Sequence, residues 1–249
     1  MVSALPPPET MQAIAAETGY SETVFAAPLG DGWRVRYFSP EAEVQFCGHA
    51  TIALGAALAD QLGDGVFHLM LNTAQISVEG RRTPSGAWAA LQSPTTSSQD
   101  ASDALVAAAL AIFSYASEDV DPRLPPAMAN AGLDHLVIAL KDRLALKAMH
   151  YDLGIGRDFM RREGIGTVSF LYAETDRLFH ARNPFAIGGV YEDPATGSAA
   201  AALAGLLRDR RWPHGGRIKI LQGEDMGQPC ELIADITEAV GASIRVSGT

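Results

Sequence analysis

The sequence predicts an α+β protein built from two similar, pseudo-symmetric lobes. Helix-like and strand-like segments are mixed along the 249 residues without a regular βαβ rhythm. The sequence contains no glycine-rich nucleotide loop of the GxGxxG or P-loop kind. Two alanine-rich helix patterns begin in the same way, at Gly48 and at Gly197, which indicates an internal repeat.

The composition is typical of a globular protein with a large core. Hydrophobic residues make up 47% of the chain, charged residues 19%, and the formal net charge is -10. The length suits one large domain or two domains of roughly 120 residues each. The negative charge argues against nucleic acid as the main partner, because phosphate binding requires a basic surface.

The sequence pattern predicts no targeting signal. The first ten residues, MVSALPPPET, lack the basic and apolar regions of a signal peptide. The longest stretch of small apolar residues, 50–59, is far shorter than the ~20 residues that span a bilayer. Two cysteines, Cys47 and Cys230, cannot form a disulfide framework and fit a reducing compartment. We therefore expect a cytoplasmic protein with no membrane partner.

The elements of the first lobe, residues 1–95, follow from the spacing of apolar residues. Residues 8–18 read as a helix with Pro8 in its first turn and Gly19 as a left-handed cap. Residues 49–62 are almost continuously small and apolar, which predicts a buried helix. Strands are predicted at residues 20–26, 33–38, 76–79 and 87–91.

The second lobe, residues 96–249, begins within a polar segment. This segment, SPTTSSQD at residues 93–100, has no apolar period and is predicted to be a linker. Two helices are predicted at residues 103–113 and 197–211. Strands are predicted at residues 135–140, 167–172, 218–222, 231–235 and 243–246.

The two alanine-rich helices align at a constant offset of 149 positions, the distance from Gly48 to Gly197. The same residue type recurs at Ala50 and Ala199, Ala53 and Ala202, Leu54 and Leu203, Leu58 and Leu207, and Glu43 and Glu192. Glycine at a helix start leaves the first backbone N–H groups unobstructed, and these groups form an anion site. If the lobes face each other, both helix starts point into one cleft and can hold a substrate carboxylate. The alternative is a pair of core helices with ordinary glycine starts.

Polar residues surround both helix starts, in the segments FCGH and EDPATGSA, and SET at residues 21–23 forms a third polar cluster. EVQFCGHATIALGAAL resembles the first signature of the phenazine-biosynthesis PhzF-like isomerase family, and YEDPATGSAAAALAGLL resembles the second. GYSETVF and LQGEDMGQP are similar to two further segments of that family, and the likeness extends from about Pro8 to Gly248. The resemblance implies a diaminopimelate-epimerase-like fold. In that fold each lobe is a curved mixed sheet wrapped around a central helix, and the active site lies between the lobes.

The resemblance also implies roles for single residues. It makes Glu22 the general acid/base, with His49 and Asp193 as polar partners around the substrate. Substrate binding is expected at Ser21, Gly48, Thr196, Gly197 and Ser198. The implied protein is a homodimeric isomerase that needs no metal or cofactor and shifts a proton on a small carboxylate. Each residue also has a structural alternative: Glu22 as a surface residue, His49 as a capping or core histidine, and Asp193 as a turn former.

Cys47 occupies the first of the two cysteine positions that act as acid and base in the epimerases and racemases of this fold. The position 149 residues later is Thr196, whose hydroxyl is too weak an acid to replace a thiol, so a two-thiol inversion is disfavoured. A one-base epimerase and a non-catalytic carboxylate-binding or scaffold descendant stay open as alternatives. Family members usually carry one more strand at each end, so we expect an open sheet edge in the first lobe.

Overall fold

Helices and strands are mixed along the chain, as predicted. The structure is a computed structural model that describes residues 4–83 and 86–248. The α-helices of that part of the chain are α1 Pro8–Thr18, α2 Gly48–Leu62, α3 Asp103–Ile112, α4 Arg143–Lys147, α5 Leu153–Glu163 and α6 Gly197–Asp209. The strands are β1 Thr23–Leu29, β2 Gly32–Phe38, β3 Glu43–Val44, β4 Gly65–Met70, β5 Gln75–Thr83, β6 Gly86–Gln92, β7 Ser97–Asp100, β8 Ala127–Asn130, β9 Asp134–Leu140, β10 Thr167–Ala173, β11 Leu178–Pro184, β12 Glu192–Asp193, β13 Arg217–Gln222, β14 Cys230–Asp235 and β15 Arg245–Gly248.

The strands form one mixed sheet that does not close on itself. Its order is β1-β2-β4-β5-β6-β15-β14-β13-β11-β10-β9-β8-β7, with β3 paired to β2 and β12 paired to β11. The pairs β2–β4, β9–β10 and β11–β13 are parallel, and the other pairs are antiparallel. Strand β15, from the end of the chain, lies between β6 and β14 and joins the two parts of the sheet. The division at residues 95 and 96 stays a prediction.

The internal repeat is larger than the two helices from which it was predicted. The order helix, three strands, helix, three strands occurs at residues 8–92 and again at 153–248. Both copies pair their strands with the same neighbours in the same directions. Both begin with an 11-residue helix that ends at a left-handed glycine, Gly19 in the first copy and Gly164 in the second. The chain is therefore a duplicated α+β unit.

Helices α2 and α6 lie inside the curved sheet and form the central core with it. Every residue from Gly197 to Arg208 of α6 is buried. In β9, Val137 and Ala139 face this core while Leu136, Ile138 and Leu140 face α3, α4 and α5. This explains why β9 is a continuous apolar run, since both of its faces are covered. Among the described residues, every helix is too short or too polar to cross a lipid bilayer.

Three sequence predictions need correction. The proposed linker is ordered sheet at its end: Ser97–Asp100 is β7, which pairs with β8, and Thr96 bonds Arg208 Nη2 at 2.7 Å and the Ala242 carbonyl oxygen at 3.1 Å. Its polar groups are satisfied by tertiary contacts that a local pattern does not reveal.

Helix α2 was predicted to be buried, but it exposes Ala53 and Ala57 and is buried on one side only.

The first strand begins later than predicted. The prediction placed Glu22 inside a strand from residue 20, whereas β1 starts at Thr23. The chain uses residues 20–22 to turn after the left-handed cap at Gly19, and Tyr20 is 72% exposed. Glu22 therefore occupies a junction between a turn and a strand. This position lets its side chain leave the alternation of the sheet.

Candidate active site

The starts of α2 and α6 meet glycine to glycine. A Cβ added to Gly48 would lie 2.5 Å from the Cα of Gly197, and one added to Gly197 would lie 3.0 Å from the Cα of Gly48. Any larger residue at either position would separate the two helix starts. Neither helix has a side-chain N-cap hydrogen bond. The Gly197 N–H donates to the Ala195 carbonyl oxygen at 3.1 Å, and the N–H groups that follow Gly48 and Gly197 are available to another acceptor.

A narrow cavity of about 10 Å³, room for about one water molecule, lies between the two copies at this crossing. Its walls are Glu22, Phe46, Cys47, Gly48, Leu133, Thr167, Phe185, Asp193, Thr196 and Ser198. Apolar side chains and ionisable groups thus surround the same space. The uncapped helix starts and the apolar wall suit a single anionic group, such as a carboxylate, at this narrow point.

An imidazole connects the acidic groups from the two copies. His49 Nε2 lies 3.2 Å from Glu22 Oε2, and His49 Nδ1 lies 3.5 Å from Asp193 Oδ1. The side chains of Glu22 and Asp193 are 5% and 4% exposed, against 26% for His49. Ser21 Oγ lies 3.3 Å from Nε2 as well. The three residues predicted as catalytic therefore form one chain of contacts.

Asp193 and His49 set the charge of this group of side chains. Burial disfavours the imidazolium, but the Cys47 sulfur and the Asp193 carboxylate favour it, and the pKa of His49 lies well above its usual value. Burial also raises the pKa of the Cys47 thiol, to about 11, so Cys47 is neutral near pH 7 and Asp193 supplies the charge that holds the imidazolium. Burial would raise the pKa of Asp193, but His49 and the hydrogen bonds to this carboxyl lower it. The pair is an ion pair near neutral pH.

Asp193 is already occupied by protein donors. Its Oδ2 accepts a 2.7 Å hydrogen bond from Thr196 Oγ1, and its Oδ1 accepts a 3.3 Å bond from the Ala195 N–H. Gln222 completes this network, because its Nε2 donates to the Asp193 carbonyl oxygen at 2.6 Å and its Oε1 accepts from the Thr196 N–H at 3.1 Å. Asp193 is placed to orient His49, which is the usual work of a carboxylate behind an imidazole.

Glu22 differs from Asp193 in its hydrogen bonding. Its Oε2 is buried and, among the described residues, accepts no hydrogen bond of good geometry. A buried acceptor without a donor is costly, and such groups occur where a ligand or a reaction uses them. Glu22 also lines a second, more open space of about 400 Å³ together with Tyr20, Ser21, His49 and Pro194. Its carboxyl group therefore stands between the inner cavity and a route to the surface.

The structure brings all eight predicted site residues to one place, although it does not test their roles. Glu22, Gly48, Asp193, Thr196 and Ser198 line the inner cavity. His49 and Gly197 contact residues that line it, and Ser21 contacts His49. Sequence reasoning missed four lining residues: Phe46, Leu133, Thr167 and Phe185. Thr167 had a usable signal, because it follows the cap glycine Gly164 by three positions, as Glu22 follows Gly19. Leu133 and Phe185 lie outside the repeated motifs, and no sequence signal marks them as site residues.

A duplicated α+β unit with a cavity between its two copies is the arrangement of an epimerase-like fold. A predicted epimerase from Pseudomonas aeruginosa has a similar solved structure, with a TM-score of 0.83, 24% identity, and coverage of 97% of this chain and 85% of that one. The model of the PhzC-PhzF family, described as phenazine biosynthesis-like protein, matches residues 8–249. The chain belongs to this family.

Curated relatives support the family and carry isomerase names. An uncharacterized isomerase of Mesorhizobium japonicum is 31% identical, over 96% of this chain and 84% of the relative. Trans-2,3-dihydro-3-hydroxyanthranilate isomerase of Pseudomonas aeruginosa is also 31% identical, over 96% of this chain and 82% of the relative. Isomerases are therefore established among the relatives of this chain, and the resemblance read from the sequence motifs is confirmed.

Proposed function

We propose that this protein is a cofactor-independent isomerase that moves a proton on a small carboxylate-bearing substrate, with Glu22 as the general acid/base. The observation that carries the proposal is the position of the Glu22 carboxyl. Its Oε2 is buried, has no hydrogen-bond donor of good geometry among the described residues, and faces the cavity at the crossing of two helix starts. A proton acceptor and an anion site thus share one small space.

The substrate carboxylate is placed at the starts of α2 and α6. The N–H groups after Gly48 and Gly197 are uncapped, and the positive ends of both helix dipoles meet there. Negative charge that develops on a carboxylate conjugated with the reacting carbon is stabilised at the same position. This lowers the barrier for removing a proton from the adjacent carbon. The chain needs no arginine for this task.

Proton transfer uses one face of the substrate. Glu22 removes a proton from the acidified carbon and returns it to another atom within reach of the same carboxyl group. His49, held as an imidazolium by Asp193, lies 3.2 Å from Glu22 Oε2 and orients this carboxyl group toward the substrate. Ser21 and Thr196 supply hydroxyl groups for a substrate amine or hydroxyl. The name of one relative suggests trans-2,3-dihydro-3-hydroxyanthranilate as a first compound to test.

The experiment is proton exchange followed by NMR in heavy water. The wild-type protein is incubated with trans-2,3-dihydro-3-hydroxyanthranilate and with a set of small unsaturated and α-amino carboxylates, and deuterium incorporation and product structure are recorded. Glu22→Gln should lower turnover by about 10³-fold, because it removes the proton acceptor and keeps its shape. Glu17→Gln, at an exposed position of α1, is the matched control and should keep full activity.

Three outcomes separate the alternatives. A product with a shifted double bond or tautomeric form supports the proposal, whereas inversion at a stereocentre supports a one-base epimerase. Binding of a carboxylate by calorimetry with no exchange in any compound supports a non-catalytic descendant. Full turnover in Glu22→Gln would refute the role of this residue.

A further inference from the structure

Three different metal-ligand side chains converge at the first helix start. Oε2 of Glu22, Sγ of Cys47 and a ring nitrogen of His49 all lie within 4.8 Å of one another. His49 Nε2 is 3.2 Å from Glu22 Oε2 and 3.7 Å from Cys47 Sγ. The proposed isomerisation uses Glu22 and His49 but gives Cys47 no task. The thiol is 4% exposed and stands beside the two groups that move the proton.

The two separations measured from His49 Nε2 are close to those around a tetrahedral zinc ion. Zinc binds sulfur at about 2.3 Å, and nitrogen and oxygen at about 2.0–2.2 Å. Tetrahedral angles then place a nitrogen and an oxygen ligand about 3.4 Å apart, and a nitrogen and a sulfur ligand about 3.5 Å apart. The distances of 3.2 Å and 3.7 Å at His49 Nε2 each differ from these values by only a few tenths of an ångström.

The surroundings of the cluster point to a cation as well. Asp193 Oδ1 lies 3.5 Å from His49 Nδ1, which places a carboxylate behind the imidazole. Ligating histidines usually have such a partner, because it fixes the ring and raises its basicity. Glu22 Oε2 is buried and accepts no hydrogen bond of good geometry among the described residues, so a bound cation would give it a partner.

We propose that Glu22, Cys47 and His49 bind Zn²⁺ through Oε2, Sγ and Nε2, and that the bound ion blocks the isomerase by occupying its acid/base. A thiolate and an imidazole favour zinc over Mg²⁺ or Ca²⁺, which prefer oxygen ligands. Binding displaces the thiol proton of Cys47 and the Nε2 proton to solvent and leaves the fourth position for water or a carboxylate. The binding step stands by itself, and only the inhibition rests on the proposed function.

The test uses the full chain, freed of metal with a chelator. Titration with Zn²⁺ by calorimetry should give one tight site per chain, and Co²⁺ should give a thiolate-to-metal charge-transfer absorption. Cys47→Ser should weaken Zn²⁺ binding by about 100-fold and abolish that absorption, since it removes the sulfur ligand. Asp193→Asn should weaken binding by about 10-fold, because the ring of His49 loses its partner. Cys230→Ser, the other cysteine of the chain, is the matched control and should leave stoichiometry and absorption unchanged.

Thermal unfolding of each variant without metal shows whether it is folded. A folded Cys47→Ser protein that binds Zn²⁺ as tightly as the wild type would overturn the proposal, as would loss of the site in Cys230→Ser. Where turnover has been measured, Zn²⁺ should abolish it, a chelator should restore it, and the inhibition constant should equal the binding constant. Stoichiometric Zn²⁺ binding without turnover in any compound would support the metal site and refute the proposed function. Turnover without Zn²⁺ binding would support the proposed function and refute the metal site.

Discussion

The two copies of the repeat share their backbone but differ in their ionisable side chains. Glu22 in the first copy corresponds to Thr167 in the second, because each stands three residues after the glycine that ends the preceding helix. Around the second helix of each copy, Cys47 and His49 correspond to Thr196 and Ser198. The first copy therefore supplies a carboxyl, a thiol and an imidazole, and the second supplies hydroxyl groups at the same positions.

Under the proposed function, this difference restricts proton transfer to one side of the cavity. Inversion by two bases requires an ionisable group on each face of the substrate, and Thr167 and Thr196 cannot accept a proton from carbon near neutral pH. Asp193 is the one ionisable group that the second copy adds to the cavity lining, in place of Val44, and it is bonded to Thr196, Ala195 and His49. If Glu22 is the acid/base, as proposed, the substrate proton is transferred along a single face.

The copies also differ in how deeply their central helices are buried. Helix α6 contacts β7, β8 and β9 in addition to strands of the repeat, and it is buried over nearly its whole length. Helix α2 contacts the strands of its own copy, β15 and α6, and exposes Ala53 and Ala57. The same alanine-rich pattern thus gives two degrees of burial. Strands outside the repeat decide which one results.

The largest expected difference between the copies concerns two equivalent ion pairs. Arg182 and Glu192 form a buried pair at 2.6 Å, with side chains 9% and 2% exposed, and Arg36 and Glu43 form a pair at 2.6 Å that is 18% and 27% exposed. Glu192→Gln should lower the free energy of unfolding by about 3 kcal/mol, because it leaves a buried guanidinium without its countercharge. Glu43→Gln should lower it by about 0.5 kcal/mol, since water still reaches Arg36. Urea denaturation measures both. Equal losses of unfolding free energy in the two variants would contradict the difference in burial between the two ion pairs.

The glycine contact gives the next largest effect. Gly48→Ala should destabilise the protein by about 3 kcal/mol, because its Cβ would lie 2.5 Å from the Cα of Gly197 and backbone must move. Gly197→Ala should cost about 1 kcal/mol, since its Cβ would lie 3.0 Å from the Cα of Gly48. Both substitutions remove a glycine from a helix start, so helix propensity affects the two proteins alike. Thermal unfolding of both proteins checks the order, and a larger loss in Gly197→Ala would contradict it.

A third prediction concerns the pH dependence of stability and His135, a buried histidine of β9, which lies outside the repeat. Burial lowers the pKa of His135 to about 3, and its Nδ1 lies 2.7 Å from Thr167 Oγ1. The folded protein keeps this ring neutral, whereas the unfolded chain binds a proton near its usual pKa of about 6.5. The stabilisation is therefore complete above about pH 6.5 and is lost as the pH falls toward 3, at up to about 1.4 kcal/mol per pH unit.

A variant isolates this contribution. In His135→Asn the free energy of unfolding should fall less steeply as the pH drops from about 6 to about 4. The reason is that unfolding of the variant takes up about one proton fewer than unfolding of the wild type. His150→Asn, at an exposed position, is the matched control and should keep the wild-type slope. Denaturant titrations at several pH values measure the slopes. An unchanged slope in His135→Asn would mean that this ring titrates in the folded protein.

The sequence predicted more of the site than of the sheet. Gly48 and Gly197 start helices as expected, and the motifs around them bring Glu22, His49 and Asp193 together. Short strands such as β3 and β12 carry too few residues for a period, and β4 and β11 lacked a clear alternation. The polar strand β7 was read as a linker because its hydrogen-bond partners are far away in the sequence. Local patterns identify such segments poorly.

The amino-acid sequence by itself determined the α+β class, the duplication, and the types of side chain that surround the two helix starts. These depend on periodicity, glycine and local motifs, which act over a few residues. Only the tertiary structure decided that Asp193 holds His49, that Glu22 Oε2 is left without a donor among the described residues, and that Cys47 joins them within 4.8 Å. Such distances arise because two copies of one unit pack glycine against glycine, and no local pattern encodes that contact.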